Sequence, residues 1–212
     1  MTSLEFAVLD ARPARHAAEP TLLLSLAITE SDGRPVHALA VRCQIRIEPQ
    51  RRRYSPDEEA RLLELFGPTP QWGDSLRPFL WTHASTMVTA FTGSTKIDLP
   101  VTCTYDFEIA ASKYLHSIEG GVIPLALCFS GTVFVAGPDG FAATPISWDS
   151  DITFALPVSA WRDTMDLYFP NCGWMRVSTG TLDALTRFKA RRALPTWDHT
   201  IEQLLKEAGE EQ

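Results

Sequence analysis

Alternation of apolar and polar residues over two segments most constrains the fold of this 212-residue chain. In residues 99–109 the odd positions are apolar or aromatic, and residues 39–48 repeat the pattern. Because successive side chains of a β-strand point to opposite faces, both segments are predicted to be strands with one buried face. Cys43 and Cys103 fall on the predicted buried faces, where a free thiol acts as a small apolar side chain rather than as a nucleophile.

Other runs of apolar or alternating residues predict further strands at 21–29, 85–91, 122–136 and 151–156. The run 122–136 is apolar on both faces, as is typical of a central strand. Its Ser-Gly-Thr at 130–132 indicates a strand kink rather than a nucleophile elbow. The turn signal Ser-Asp-Gly at 31–33 is expected to join the strand 21–29 to the strand 39–48, and a second turn is expected at 137–140.

Helical signals are fewer and lie mostly near the C-terminus. Ser55 can cap the start of a helix, and Pro56 follows it. An acid lies three residues past this cap and a run of leucines comes after it, so a helix is predicted near 55–66. Gly67 can end this helix in a left-handed conformation. Apolar residues at helical spacing predict three more helices, at 158–169, 181–193 and 196–208.

The order of these elements predicts a mainly β protein of the α+β class, with an antiparallel β-sandwich or barrel-like core and C-terminal helices. Strands come first at short spacing, and strand and helix do not alternate regularly as they do in a βαβ fold. We expect residues 1–156 to form the β core, with one inserted helix near 55–66. Residues 157–212 are expected to form a helical C-terminal cap of the same domain.

Charge and cysteine content exclude several classes of function. The net charge of −7 disfavours nucleic-acid binding, because phosphate contacts require concentrated positive charge. No run approaches the roughly 18 apolar residues of a membrane span, so no membrane segment is expected. The N-terminus lacks a signal-peptide pattern, and the four cysteines are widely scattered. We therefore expect a cytoplasmic protein with reduced thiols.

No assembled catalytic or metal-binding motif is visible in the sequence. It has no CxxC, HxxxH or HExxH spacing and no glycine-rich phosphate loop between a strand and a helix. We therefore predict no catalytic residue, no metal and no other cofactor. The alternative is an enzyme or small-ligand binder with a pocket between the sheet and the C-terminal helices. Its first candidate residues are His83, Asp106, Glu108, Tyr114 and His116.

The segment 67–81 is the best candidate for a protein-binding surface. It has three prolines and neither a helical nor a strand period. Exposed aromatic residues and arginine on such a segment are typical of a recognition patch. The residues predicted to contact a partner are Trp72, Arg77, Phe79 and Trp81. The alternative is a long connection over one end of the core, with its aromatic side chains packed inward.

Arg51, Arg52 and Arg53 form the one concentrated positive patch of the sequence. They could present guanidinium groups to an anionic partner, and we include them among the candidate partner-binding residues. The alternative is a solvated loop whose arginines pair with the acids at 57–59. A homo-oligomer that uses an exposed strand edge or the helix at 196–208 is a third possibility.

Five stretches resemble an uncharacterised bacterial family of domains of unknown function: LFG at 65–67, CTYDF at 103–107, FSGTVF at 129–134, WRDTMDLYFP at 161–170 and RALPTWD at 192–198. The resemblance implies that the gene is sometimes found near nickel–iron hydrogenase genes. It therefore implies a non-catalytic accessory or protein-binding role, linked to assembly or function of a redox enzyme complex. The scattered cysteines disfavour a nickel or iron–sulfur site in this chain, since such ligation typically uses four thiolates.

Overall fold

The computed structural model of the chain describes residues 3–104, 109–137, 140–147, 150–170, 172 and 175–210. The chain divides into two compact units, Met1–Trp174 and Met175–Gln212. The strands found in these ranges lie in the first unit, and the second unit contains the last two helices. Within the described ranges, no helix is long and apolar enough to cross a membrane.

Two antiparallel sheets form the centre of the first unit. Their strands are β1 (Leu4–Pro13), β2 (Thr21–Glu30), β3 (Val36–Ile47), β4 (Phe79–Val88), β5 (Ser94–Thr102), β6 (Val122–Gly137), β7 (Gly140–Pro145) and β8 (Asp151–Pro157). The first sheet has the order β1-β2-β5. The second has the order β4-β3-β6-β7, and β8 pairs with the first half of β6. The predicted class, mainly antiparallel β with C-terminal helices, is confirmed, and the two separate sheets make it a sandwich.

The α-helices of the described residues are α1 (Pro56–Arg61), α2 (Leu63–Phe66), α3 (Trp72–Ser75), α4 (Ala110–Ser117) and α5 (Val158–Tyr168) in the first unit, and α6 (Thr179–Arg191) and α7 (Trp197–Ala208) in the second. The helix predicted near 55–66 is present as α1 and α2. The Ser55 hydroxyl accepts from the Glu58 backbone N–H, and the Glu58 carboxylate accepts from the Ser55 N–H, which is the predicted capping arrangement. Gly67 ends α2 with a positive φ of 73°, but its ψ of −172° lies outside the left-handed conformation that was expected.

Each sheet buries one face in a shared core. The alternation of β2 and β3 supplies fully buried residues at every second position: Leu22, Leu24, Leu26, Ile28, Leu39, Cys43, Ile45 and Ile47. Phe6 of the first sheet stacks on Phe129 of the second, with ring centroids 4.2 Å apart. Burial raises the pKa of Cys43 and of Cys103 to about 12. Both thiols are therefore buried and protonated, which confirms their predicted place on the inner faces.

The predicted turn at 31–33 does join β2 to β3, but the two strands do not pair with each other. The turn at 31–33 does not close a hairpin, because β2 pairs with β1 and β5 whereas β3 pairs with β4 and β6. The segment instead carries the chain from one sheet to the other. Local turn residues indicate a change of direction, but they do not determine which strands pair.

Strand β1, the short helix α3 and helix α4 of the first unit were not predicted. The alternation of β1 is broken by a register shift between Val8 and Asp10, so its period is difficult to recognise in the sequence. Helix α4 begins at Ala110, directly after the end of the predicted strand 99–109. Residues 105–108 of that predicted strand lie outside the described residues, and β5 covers the first part.

The helices near the C-terminus belong to different units. Helix α5 packs against β1, β2 and β8, and the Tyr168 hydroxyl donates to the Ala14 carbonyl at 2.6 Å. Helices α6 and α7 form the second unit, where Thr196 caps α7 by accepting from the His199 N–H. That residues 157–212 act as a cap of the β core stays a prediction.

Candidate functional site

The outward side of the second sheet presents a broad exposed surface. Strand β3 lies between β4 and β6, and pairing places Ser85 and Ser130 directly opposite Arg42 on either side. We define the outer face by the outward residues of these three strands: Ala40, Arg42, Gln44, Arg46, His83, Ser85, Met87, Cys128, Ser130 and Thr132. The apolar–polar alternation of β3 therefore produces both the buried core and this surface.

Gly131 lies in β6 opposite the buried Val41 of β3, between the outward residues Ser130 and Thr132. Its φ is 143°, and a Cβ atom built on it would lie 1.9 Å from the Ala40 carbonyl oxygen. At this point β6 changes its neighbour from β8 to β7, and the Ile146 N–H donates to the Gly131 carbonyl at 3.0 Å. The strand kink predicted at 130–132 is thus present, and glycine is required because β3 approaches so closely.

An open recess of about 630 Å³ lies on the outer face, and Gly131 is among its lining residues. Small hydroxyl side chains surround it, and Arg42 and Met87 stand beside it. The Met87 side chain is 64% exposed. Arginine and methionine are both enriched where proteins bind other proteins, and the unbranched thioether adapts to the shape of a partner.

The charge of the second sheet differs from that of the chain as a whole. The chain carries a net charge of −7. The strands of this sheet contain Arg42 and Arg46 but a single carboxylate, Asp151, which lies at the start of β8. Neither arginine forms an ion pair with a carboxylate in the described part of the chain. An acidic protein therefore presents a positively charged centre on this face.

Trp72 and Trp81 of the predicted recognition segment are buried, at 8% and 9% exposure. The Trp72 indole N–H donates to the Gly67 carbonyl at 2.9 Å, and its ring meets the Tyr54 ring edge-on. Phe79 is half-buried and packs against Tyr114. The expected exposure of these aromatics is therefore wrong.

An aromatic cluster around the fully buried Tyr114 explains why the segment folds inward. Arg77 is exposed, 3.9 Å from Asp74. Partner binding by Trp72, Arg77, Phe79 and Trp81 stays a prediction.

The three arginines at 51–53 do not form one exposed patch. Arg52 is largely buried, with its Nη2 at 2.5 Å from Glu58 Oε1 and its Nη1 donating to the Val122 carbonyl. Arg51 is exposed and lies 3.2 Å from Glu48, and Arg53 is exposed. For Arg52 the structure shows the alternative, pairing with an acid of the segment 57–59. That Arg51 and Arg53 bind a partner stays a prediction.

The residues proposed for an enzymatic pocket do not come together where they are described. His83 is exposed on the outer face, whereas Tyr114 is buried, and its hydroxyl forms a hydrogen bond of 2.9 Å with the Tyr54 hydroxyl. His116 packs edge-on against Trp161 on another side of α4. Asp106 and Glu108 lie outside the described residues. Among the residues that are described, no group of three His, Cys, Asp or Glu side chains could hold a metal ion.

The outer face was not identified as a site from the sequence. The available signal was the pair Arg42 and Arg46 on the polar side of an alternating strand in an acidic chain. Its position beside a recess depends on the pairing of β3 with β6, which alternation does not reveal.

Comparison with known families shows that the chain belongs to DUF6084, a family of unknown function, whose model matches residues 1–212. The expected resemblance to such a family is confirmed at this level. No curated protein matches the sequence significantly.

Solved structures with some similarity to the chain include β-glucosidases. Selenomethionine-labelled β-glucosidase from Kluyveromyces marxianus is 7% identical, with a TM-score of 0.28. β-Glucosidase 3B from Thermotoga neapolitana with α-D-glucose is 12% identical, with a TM-score of 0.24, and the glucose complex of the Kluyveromyces enzyme is 8% identical, with a TM-score of 0.23. Each match covers 73% of this chain but only 15%, 17% and 15% of the other chain, respectively. Similarity this weak supports no argument about function.

Proposed function

We propose that this member of the DUF6084 family is a non-catalytic accessory domain that binds another protein through the outer face of its second sheet. The observation that supports this most is the positively charged centre on that face. Arg42 is exposed, Arg46 is partly exposed, and neither is neutralised by a carboxylate that the structure describes. Such side chains are available for an intermolecular contact without first breaking an internal ion pair.

The partner surface that fits this face is acidic. Arg42 is exposed and pairs in register with a serine on either side, and its guanidinium can bind a carboxylate through two parallel hydrogen bonds. The adjacent recess and Met87 can accept an apolar side chain next to that carboxylate. Because the rest of the chain is strongly acidic, electrostatic attraction would orient an acidic partner towards this face and repel it elsewhere.

We further propose that the protein takes part in the assembly or function of a redox enzyme complex, as the family resemblance implies. The four cysteines are free in the structure, which suits a reducing compartment, and we propose the cytoplasm. The protein would supply a binding surface there, and its partner would carry the redox centre.

Reversing the charge of the outer face should weaken binding of the partner. A photo-crosslinking residue at Met87 is used to identify that partner, which is then purified. We expect the Arg42→Glu/Arg46→Glu variant to bind it at least about tenfold more weakly, a loss of about 1.4 kcal/mol or more. The loss should be smaller at high salt, because exposed charges are screened. Isothermal titration calorimetry at low and high salt measures both effects.

Lys96→Glu provides the matched control, because Lys96 is exposed on β5 of the other sheet. We expect this variant to bind like the wild type, and both variants to melt near the wild-type temperature. Equal affinity of the outer-face variant and the wild type would contradict the proposed surface. A partner whose crosslinked segment lacks acidic residues would contradict the proposed chemistry.

A further inference from the structure

The second unit, Met175–Gln212, has almost no core of its own. Among its described residues, 175–210, the polar Thr200 is buried and no apolar side chain is. Units shorter than roughly 40 residues usually need a disulfide, a metal or an oligomeric contact to be stable. This unit contains no cysteine, so no disulfide can hold it. Burial of its apolar surface against another molecule would supply stability that the unit lacks.

Both helices of this unit carry apolar residues on one face. Those of α7 recur at intervals of four and three residues, as in the seam between paired helices, and those of α6 recur every third residue. We call these sets the apolar stripes: Trp197, Ile201, Leu204, Leu205 and Ala208 on α7, and Leu182, Leu185 and Phe188 on α6. The stripes are open, since Leu182, Trp197 and Leu205 are 44%, 43% and 42% exposed. The helices have 13 and 12 residues, so one stripe can cover the other along its length.

The two helices differ in charge. Helix α6 has three basic residues and one acid, whereas α7 has three acids and one basic residue. These residues are Arg187, Lys189, Arg191 and Asp183 on α6, and Asp198, Glu202, Glu207 and Lys206 on α7. Contact between two α7 helices would bring like charges together, whereas contact between α7 and α6 joins opposite charges.

Part of this charge is already used within the chain. The Lys189 ammonium donates to two backbone carbonyls of the turn that follows α6, and Arg192 pairs with Glu207. Four charged residues of the two helices are exposed and have no ion pair with any residue that the structure describes: Arg187, Arg191, Asp198 and Glu202. They are available for contacts with another molecule.

We propose that a second copy of this chain covers the apolar stripes, so that the protein is a dimer in which α7 of each copy packs on α6 of the other. Two-fold symmetry makes the two contacts identical, and each joins a basic helix to an acidic one. The acidic α7 also disfavours an anionic membrane surface as the occupant. This contact is separate from the outer face proposed above, and either can exist without the other.

Complementary charge reversal in the full chain tests the proposal, with the molar mass measured by light scattering after size exclusion. We expect the wild type to be a dimer at micromolar concentration. Arg187→Glu/Arg191→Glu makes both helices acidic, and Asp198→Lys/Glu202→Lys makes both basic. Each variant alone should dimerise at least about tenfold more weakly than the wild type, because like charges then meet. An equal mixture of the two should form a heterodimer, because both contacts again join opposite charges.

A monomeric wild type would overturn the proposal and leave the stripes to a different partner. A dimer that is unchanged in both variants would place the contact elsewhere, and a mixture that forms no heterodimer would exclude the pairing of α6 with α7. The matched control is Arg42→Glu/Arg46→Glu on the outer face, which should stay dimeric. If circular dichroism shows that a charge variant fails to fold, Leu205→Glu replaces it. This change in the α7 stripe should give a folded monomer, and a Leu205→Glu dimer would overturn the proposal.

Discussion

Replacing Gly131 by alanine is expected to lower the free energy of unfolding by about 4 kcal/mol, or to prevent folding altogether. The added Cβ would lie 1.9 Å from the Ala40 carbonyl oxygen, which belongs to the backbone of β3 and cannot rotate away. Strands β3 and β6 would have to separate in the middle of the second sheet. The φ of 143° adds to the cost, because residues with a side chain rarely adopt it.

Chemical denaturation followed by circular dichroism measures this loss. Gly120→Ala is the matched control, because Gly120 has no positive φ and no atom within 4 Å of the added Cβ. We expect the control to change stability by less than about 0.5 kcal/mol. A Gly131→Ala variant as stable as the wild type would show that β3 and β6 do not approach as described.

Glu58→Ala is expected to destabilise the protein by about 3–5 kcal/mol, the usual cost of removing one partner of a buried ion pair. The Glu58 side chain is 5% exposed and the Arg52 side chain 10% exposed. The carboxylate also accepts hydrogen bonds from the backbone N–H groups of Ser55 and Glu119. Removing it leaves the arginine charge and two backbone donors without their acceptor.

The stability that Glu58 contributes should depend on pH. Burial on its own raises the pKa of this carboxyl, but the hydrogen bonds from Glu119 and Ser55, together with Arg52, lower the pKa below its usual 4.5. A carboxyl with a lowered pKa in the folded state stabilises above its unfolded-state pKa, and that contribution is lost as pH falls through the folded-state pKa. The difference in stability between the wild type and Glu58→Gln should therefore be largest near neutral pH and shrink below pH 4.5.

Denaturation curves from neutral to acidic pH measure this difference. The matched control is Glu64→Ala, whose side chain is 73% exposed and pairs with Lys113 at the surface. Such a pair contributes about 0–1 kcal/mol, so Glu64→Ala should leave the free energy of unfolding nearly unchanged at every pH. A Glu58→Ala variant that behaves like this control would contradict the buried network.

Much of the sandwich is predictable because its inner faces are built from alternating residues. The strands β2, β3, β6 and β8 and the capped helix after Ser55 follow from local patterns. Strand β1 was missed because its bulge breaks the period. The pairing of strands was also missed, since turn residues at 31–33 do not specify a partner strand.

The candidate sites are less predictable because each depends on contacts between distant parts of the chain. Gly131 signals a kink in the sequence, but its close approach to the Ala40 carbonyl and its place in the lining of the recess depend on the neighbouring strand β3. The segment of Trp72 has no period, so the sequence left both an exposed and an inward position open, and in the structure the rings of Tyr54 and Phe66 pack against Trp72. The apolar face of α7 follows from its spacing, but its exposure is visible only in three dimensions.

The most direct test of the proposed binding surface compares crosslinking from two exposed positions in cells. A photo-crosslinking residue replaces Met87 on the outer face or Leu9 on β1 of the other sheet, both of which are more than half exposed. We predict one dominant crosslinked protein from Met87, joined through an acidic segment, that is lost in the Arg42→Glu/Arg46→Glu variant and absent from Leu9. Equal products from both positions, or a Met87 product that survives the charge reversal, would contradict the account.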